Sequence, residues 1–271
     1  MNNRVSNFYR EAEGGGPVNG NFHQVIALQD STDLDWLDIS LKVPDLPRGW
    51  YELSRLPQQY RIEFTRDYWL SKLPYHTRLH SFLPLFFANL EDVGIYVTQQ
   101  VFDGPYQVHM VYSLQEERGF FSGGPPCDDE DITRLSAQFS ECLLPTDYLA
   151  FLQIHDGFSK STDTGLITCS MLRSNYEQLQ NFLDKQDPLF TVEGDIVNPK
   201  KLLPFYESFG LHCYQCFFGD WYPEQEMGNV YYSGIEHSIS DFQSREAWTE
   251  NLAFPTFLDW ILFYLKGVEE I

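Results

Sequence analysis

Positive charge is scarce in this chain of 271 residues: 18 Lys and Arg stand against 39 Asp and Glu, a net of −21. Direct binding of DNA or RNA is disfavoured, because phosphate contacts need clustered Lys and Arg. An anionic membrane surface is disfavoured for the same reason. Long apolar runs are missing too. No stretch approaches the roughly 18 consecutive apolar residues of a membrane span. The start, MNNRVSNFYREAEGGGPVNGN, holds no apolar segment followed by a small-residue cleavage site and does not read as a signal peptide. Cysteine is sparse: Cys127, Cys142, Cys169, Cys213 and Cys216 make an odd count, and no Asn-x-Ser/Thr acceptor occurs. A reducing compartment is the simpler reading, so a cytoplasmic protein is expected.

Catalytic signatures are also lacking. There is no Gly-x-Ser-x-Gly elbow, no Walker loop and no Gly-x-Gly-x-x-Gly. His76 and His80 stand at i, i+4, a spacing that lets two imidazoles share a metal. The Glu of the zinc-protease pattern is missing, and no third ligand is evident. Cys213 and Cys216 have CxxC spacing without a second pair. On a strand their odd offset turns them to opposite faces. Acidic pairs such as Glu224 and Glu226 arise by chance among so many carboxylates. No catalytic residue, cofactor or metal is expected.

What is present is unevenly placed. Residues 1–126 hold ten basic and fifteen acidic residues, a net of −5, and residues 127–271 hold eight and twenty-four, a net of −16. The break falls at Ser122-Gly123-Gly124-Pro125-Pro126, before the run Asp128-Asp129-Glu130-Asp131. Gly and Pro punctuate strongly, so a linker is expected there. This divides the chain into a disordered N-terminus over 1–22, a β-rich α+β region over 23–126, and an acidic domain over 127–271. One integrated domain with a surface loop at the break is the alternative.

In the first region, Leu37, Ile39, Leu41 and Val43 alternate with polar residues, as do Tyr60, Ile62 and Phe64. Both patterns predict half-buried strands. Val93, Ile95, Val97 and Val101, the turn at Asp103-Gly104-Pro105, and Val108, Met110 and Tyr112 predict a hairpin. A helix interrupted by Pro74 and Pro84 is expected over 67–87.

In the second region, Ile132, Leu135, Phe139 and Cys142 predict an amphipathic helix, its acidic start matching the helix dipole. Pro145 opens a second helix, with Gly157 expected as its left-handed C-cap. A short strand at Leu166-Ile167 and a helix over 174–183 follow. Strands are expected over 213–218 and 229–233, with a loop between them. Phe254, Phe257, Leu258, Ile261, Leu262 and Leu265 then mark one apolar face of a closing helix.

The string Leu144-Pro145-x-x-Tyr148-x-x-Phe151-Leu152-x-x-x-Asp156-Gly157, then FFGDWYPEQEMGNVYY over 217–232, then FPTFLDWILFYLKG over 254–267, resembles the Smi-Knr type domain of the SUKH superfamily. The resemblance covers about 128–267 and leaves 1–126 unrecognised. The family usually has Asn-Gly where this chain has Asp156-Gly157. The resemblance implies an α+β fold, an antiparallel sheet flanked by helices. It also implies protein binding without known catalysis, as in bacterial immunity proteins that neutralise toxins, often nucleases, and in fungal regulators of cell-wall synthesis. On it, Leu144, Tyr148, Phe151 and Leu152 read as core and Gly157 and Gly228 as backbone requirements, with Pro145 part of the same structural motif.

The acidity of the second half suits a basic protein partner, such as a toxin or nuclease, by steering encounter. Trp221 and Tyr222 read as exposed aromatics beside Glu224 and Glu226, a hot-spot composition. Asp156 and Asp220 read either as turn and capping residues or as partner contacts. The leading expectation is a non-catalytic binding module, immunity-like or regulatory. An enzyme with its site in residues 23–126 is the alternative.

Overall fold

In a computed structural model, the described residues are 1–12, 21–161, 163–208, 212–222, 226–243 and 248–267. The chain divides into two compact units, Met1–Ser71 with His80–Pro125, and Lys72–Leu79 with Pro126–Ile271. Helices and antiparallel strands mix throughout, an α+β fold.

The first unit opens on α1 (Asn3–Phe8), followed by β1 (Gln24–Ala27). Residues expected to be disordered at the N-terminus are thus partly helical. Asn2 is the reason: its Oδ1 accepts from Val5 N at 3.0 Å, while its Nδ2 donates to Leu114 O and Gly119 O at 2.8 and 2.9 Å. Val5 and Tyr9 are buried with Phe22, Tyr96, Val111 and Phe120. The Gly-rich residues 13–20 lie outside the described residues.

Two expected strands are helices. The first is α2 (Trp36–Lys42). Its Leu37 and Leu41 are 70% and 83% exposed while Ile39 and Val43 are buried. The buried pair falls four apart, so the helical period, not the period of two, describes the core face. Asp35 caps this helix by accepting from Asp38 N at 2.9 Å. After α3 (Arg48–Ser54) comes α4 (Gln58–Lys72), which absorbs the second expected strand. Tyr60 and Phe64 are exposed there, and the buried face is Arg61, Thr65 and Trp69. Arg61 is tolerated inside because its Nη2 donates to both Asp92 carboxylate oxygens at 2.7 Å and its Nε donates to Val93 O.

The helix expected over 67–87 is two helices, since α5 (Thr77–Ala88) starts after Pro74 and contains Pro84. The hairpin is present as β2 (Leu90–Gln99) and β3 (Tyr106–Leu114), with β4 (Phe120–Gly123) beside it. Strands β1 to β4 pair in sequence order, all antiparallel. Val101 lies beyond β2 and is exposed.

The second unit carries α6 (Asp129–Gln138), α7 (Thr146–Leu152), β5 (Phe158–Lys160), β6 (Gly165–Leu166) and α8 (Cys169–Leu183). There follow β7 (Leu202–Ser208), β8 (Cys213–Phe218), β9 (Asn229–Ser233), β10 (Ser238–Ile239), α9 (Trp248–Asn251) and α10 (Phe257–Lys266). The acidic start of α6 is a capping box between Asp128 and Asp131. Helix α7 stops at Leu152, with Gln153 as C-cap. Gly157 is therefore not its cap; it takes φ +79° in the turn leading into β5.

The sheet order is β10-β9-β8-β7-β6, antiparallel throughout. Both faces are covered, so β8 is buried along its whole length. Tyr214, Cys216 and Phe218 pack with Leu179 and Leu183 of α8. Phe217 faces the other way, stacked on Phe205 at 4.2 Å and edge-on to Tyr148 of α7 at 5.0 Å. Phe257 and Trp260 of α10 close over Phe205. Strand alternation sends Cys213 and Cys216 to opposite faces.

Candidate functional site

The turn leaving β8 carries most of the expected contact residues. Asp220 is exposed and Tyr222 is 41% exposed. Trp221 is 8% exposed, so the expectation of an exposed indole is corrected. It packs where Gly228 leaves room: a Cβ at Gly228 would come within 2.5 Å of Trp221 Cε3. Phe242 lies 5.6 Å from the indole on centroids. The Tyr222 ring stacks on that fixed indole at 5.4 Å, and its backbone has φ +64°. A non-glycine residue in this left-handed region is held there against a steric cost. Glu224 lies outside the described residues. Glu226 is half-buried and its Oε1 accepts from Thr146 N at 2.9 Å. It serves the N-terminus of α7, for which Pro145 offers no side-chain cap.

Asp156 belongs to another group. Its Oδ1 accepts from Cys169 N at 2.7 Å, at the first turn of α8. Cys127 and Cys169 sulfurs lie 2.8 Å apart, and the ligand atoms of Cys127, Asp156 and Cys169 are all within 4.8 Å of one another. The Cys169 contact and then burial push the Cys127 thiol up, and burial pushes the Asp156 carboxyl up. Among the described residues the Tyr148 hydroxyl is buried without a hydrogen-bond partner, and Cys169, Asp156 and Cys127 are the ionisable groups that act on it. Sequence spacing hides this cluster, because its members come from three separated segments.

The motif residues Leu144, Tyr148, Phe151 and Leu152 are buried on or beside α7. Between them lies Asp147, which the sequence reading passed over. Its Oδ1 accepts from Tyr148 N at 2.9 Å and its Oδ2 from Leu258 N at 3.0 Å. One carboxylate thus joins α7 to the first turn of α10. Burial raises its pKa to about 6, with Glu226 adding to the rise. Asn229 is likewise buried and unforeseen; it takes Gln215 Nε2 on its Oδ1 at 2.7 Å and donates to Thr256 O at 3.1 Å.

His76 lies 3.2 Å from Asp259 Oδ1 through its Nε2, and Arg78 also pairs with that carboxylate. Neither His76 nor His80 joins a metal-ligating group among the described residues. In the first unit, a cleft of about 370 Å³ is lined in part by Gln58, Gln59, Glu63, Arg66 and Phe87. Its polar groups are already engaged: Gln59 donates to Glu63, Gln58 to Glu91 O, and Arg66 pairs with Asp67.

A five-stranded antiparallel sheet with helices on both its faces and an aromatic turn at one end, set in the acidic half of the chain, makes an α+β module of the SUKH type. The model of the SMI1 / KNR4 family (SUKH-1) matches residues 126–262, half of the chain, and the chain belongs to that family. No curated protein matches it. Among the described residues, no helix is long and apolar enough to cross a membrane.

Proposed function

We propose that the second unit is a non-catalytic, cytoplasmic protein-binding module, immunity-like or regulatory, whose acidic surface takes a basic protein partner. The observation that carries this reading is the turn at Asp220 and Tyr222. An exposed aromatic ring is braced on a buried indole, beside a carboxylate, in a region with a net charge of −16. A braced ring loses little conformational freedom on binding, which is what a hot spot needs. The surrounding acidity steers a basic surface towards it. Two basic residues of this unit are already spent within it, Arg134 on Asp131 and Arg173 on Glu177.

The test is affinity capture with the intact chain from its native lysate at low and high salt. Retention of one basic protein in near-equal amount, weakened by salt and lost with Tyr222→Ala, supports the reading. Retention that ignores salt and both Tyr222→Ala and Asp220→Asn refutes this surface. No stable partner at either salt refutes tight neutralisation of a protein in that lysate.

A further inference from the structure

We propose that Cys127, Cys169 and Asp156 form a zinc site, with a water as fourth ligand held by the Tyr148 hydroxyl. Two thiols and one carboxylate are the donors that select this metal over calcium or magnesium, which prefer oxygen alone. Three protein ligands and one open position are a common zinc arrangement.

Each ligand is placed by backbone that other interactions hold. Cys127 precedes the α6 cap, and its N donates to Leu152 O at 2.8 Å, which pins it to the end of α7. Asp156 stands in the turn before Gly157, whose φ of +79° lets the chain reverse there. Cys169 is the first residue of α8, a helix of 15 residues that fixes where its side chain starts. The Cys169 amide donating to Asp156 Oδ1 at 2.7 Å orients the carboxylate, the supporting contact that metal ligands usually have.

The second, independent observation is Tyr148. Its hydroxyl is fully buried and has no hydrogen-bond partner among the described residues. Leaving such a group unsatisfied is unfavourable. A zinc-bound water beside the three ligands would accept from it or donate to it. A disulfide between Cys127 and Cys169 would use the sulfurs alone and leave both the hydroxyl and the carboxylate as they are. Zinc uses all four.

The sulfurs stand 2.8 Å apart. Tetrahedral zinc with Zn–S near 2.3 Å separates two thiolates by about 3.8 Å, so loading parts them by about 1 Å. Binding is written as Zn²⁺ with two thiols and one carboxylate giving the dithiolate–carboxylate complex and two protons released to solvent. No electron is transferred.

Cobalt(II) and zinc(II), added to the reduced, chelator-treated full chain, are the probes. The expected result is one equivalent of tightly held metal. Cobalt should give the thiolate charge-transfer band and the visible bands of a tetrahedral site, and zinc should displace it. Cys127→Ser and Cys169→Ser should abolish the band, Asp156→Asn should weaken binding about tenfold or more, and Cys213→Ser should leave it intact. Because a serine variant could lose its fold, the wild-type chain is also alkylated with and without zinc. Zinc should protect Cys127 and Cys169 and leave the other cysteines unchanged. No band and no protection overturn the proposal. An untreated chain lighter by two hydrogens, with Cys127 joined to Cys169, overturns it in favour of a disulfide.

Discussion

Asp147 shows how one buried carboxylate sets a pH response. Its pKa rises from 3.8 to about 6 on folding, mainly through burial. A raised carboxyl pKa means the folded chain holds the proton longer than the unfolded chain. Stability from this group is therefore present at low pH and declines between about 4 and 6 as pH rises, with a ceiling of about 3 kcal/mol. Asp147→Asn removes that titration. The unfolding free energy of wild type minus that of the variant should fall across this window in urea titrations at pH 4, 5 and 6.5. A difference that stays constant would contradict the assignment.

Gly228 is a second residue-scale case. Its hydrogen sits against the Trp221 ring, where a Cβ would approach to 2.5 Å. Gly228→Ala should cost about 1–3 kcal/mol through overpacking, read as a lower urea midpoint with an unchanged slope. It should also weaken capture of the partner, because Tyr222 leans on that indole.

At the scale of elements, the start of α10 is held by a side-chain cap. Thr256 accepts from Asp259 N at 3.0 Å and donates to Asp259 Oδ2 at 2.8 Å. Thr256→Ala should cost about 1 kcal/mol, and thermal melts of the intact chain should register it. The hairpin and the closing helix were legible, because apolar residues recur at the strand period in Val93, Ile95 and Val97 and at the helix period in Phe257, Leu258, Ile261, Leu262 and Leu265, and all of these are buried. Helices α2 and α4 were not. Leu37, Leu41, Tyr60 and Phe64 are apolar yet exposed, so they supplied a false period of two. The buried Arg61 reads as surface until Asp92 is seen beside it. Likewise, the SUKH string named the core of α7 but not the roles of its polar neighbours. Asp147, Asn229 and the Cys127–Asp156–Cys169 group work through contacts between distant segments, which single-sequence spacing cannot reveal.

At the scale of the molecule, charge separates the two units of the chain in sequence. The SUKH-1 match covers the strongly acidic half, and 24 of the 39 acidic residues fall in residues 127–271. A uniform solubilising charge would serve without such segregation. An electrostatic docking surface works through attraction that salt screens over about 8–10 Å. Rim charges act mostly on the association rate, whereas a central aromatic acts on dissociation. Asp220→Asn should therefore slow association of the captured partner, and Tyr222→Ala should speed its release.

The most direct measurement is the association rate of the purified partner with the full chain, followed by surface-bound or stopped-flow kinetics from low to high salt. The account predicts a rate that falls steeply as salt rises, is reduced further by Asp220→Asn, and is accompanied by faster dissociation in Tyr222→Ala. An association rate independent of salt, with both variants binding as wild type does, would contradict an acidic docking surface on the SUKH unit.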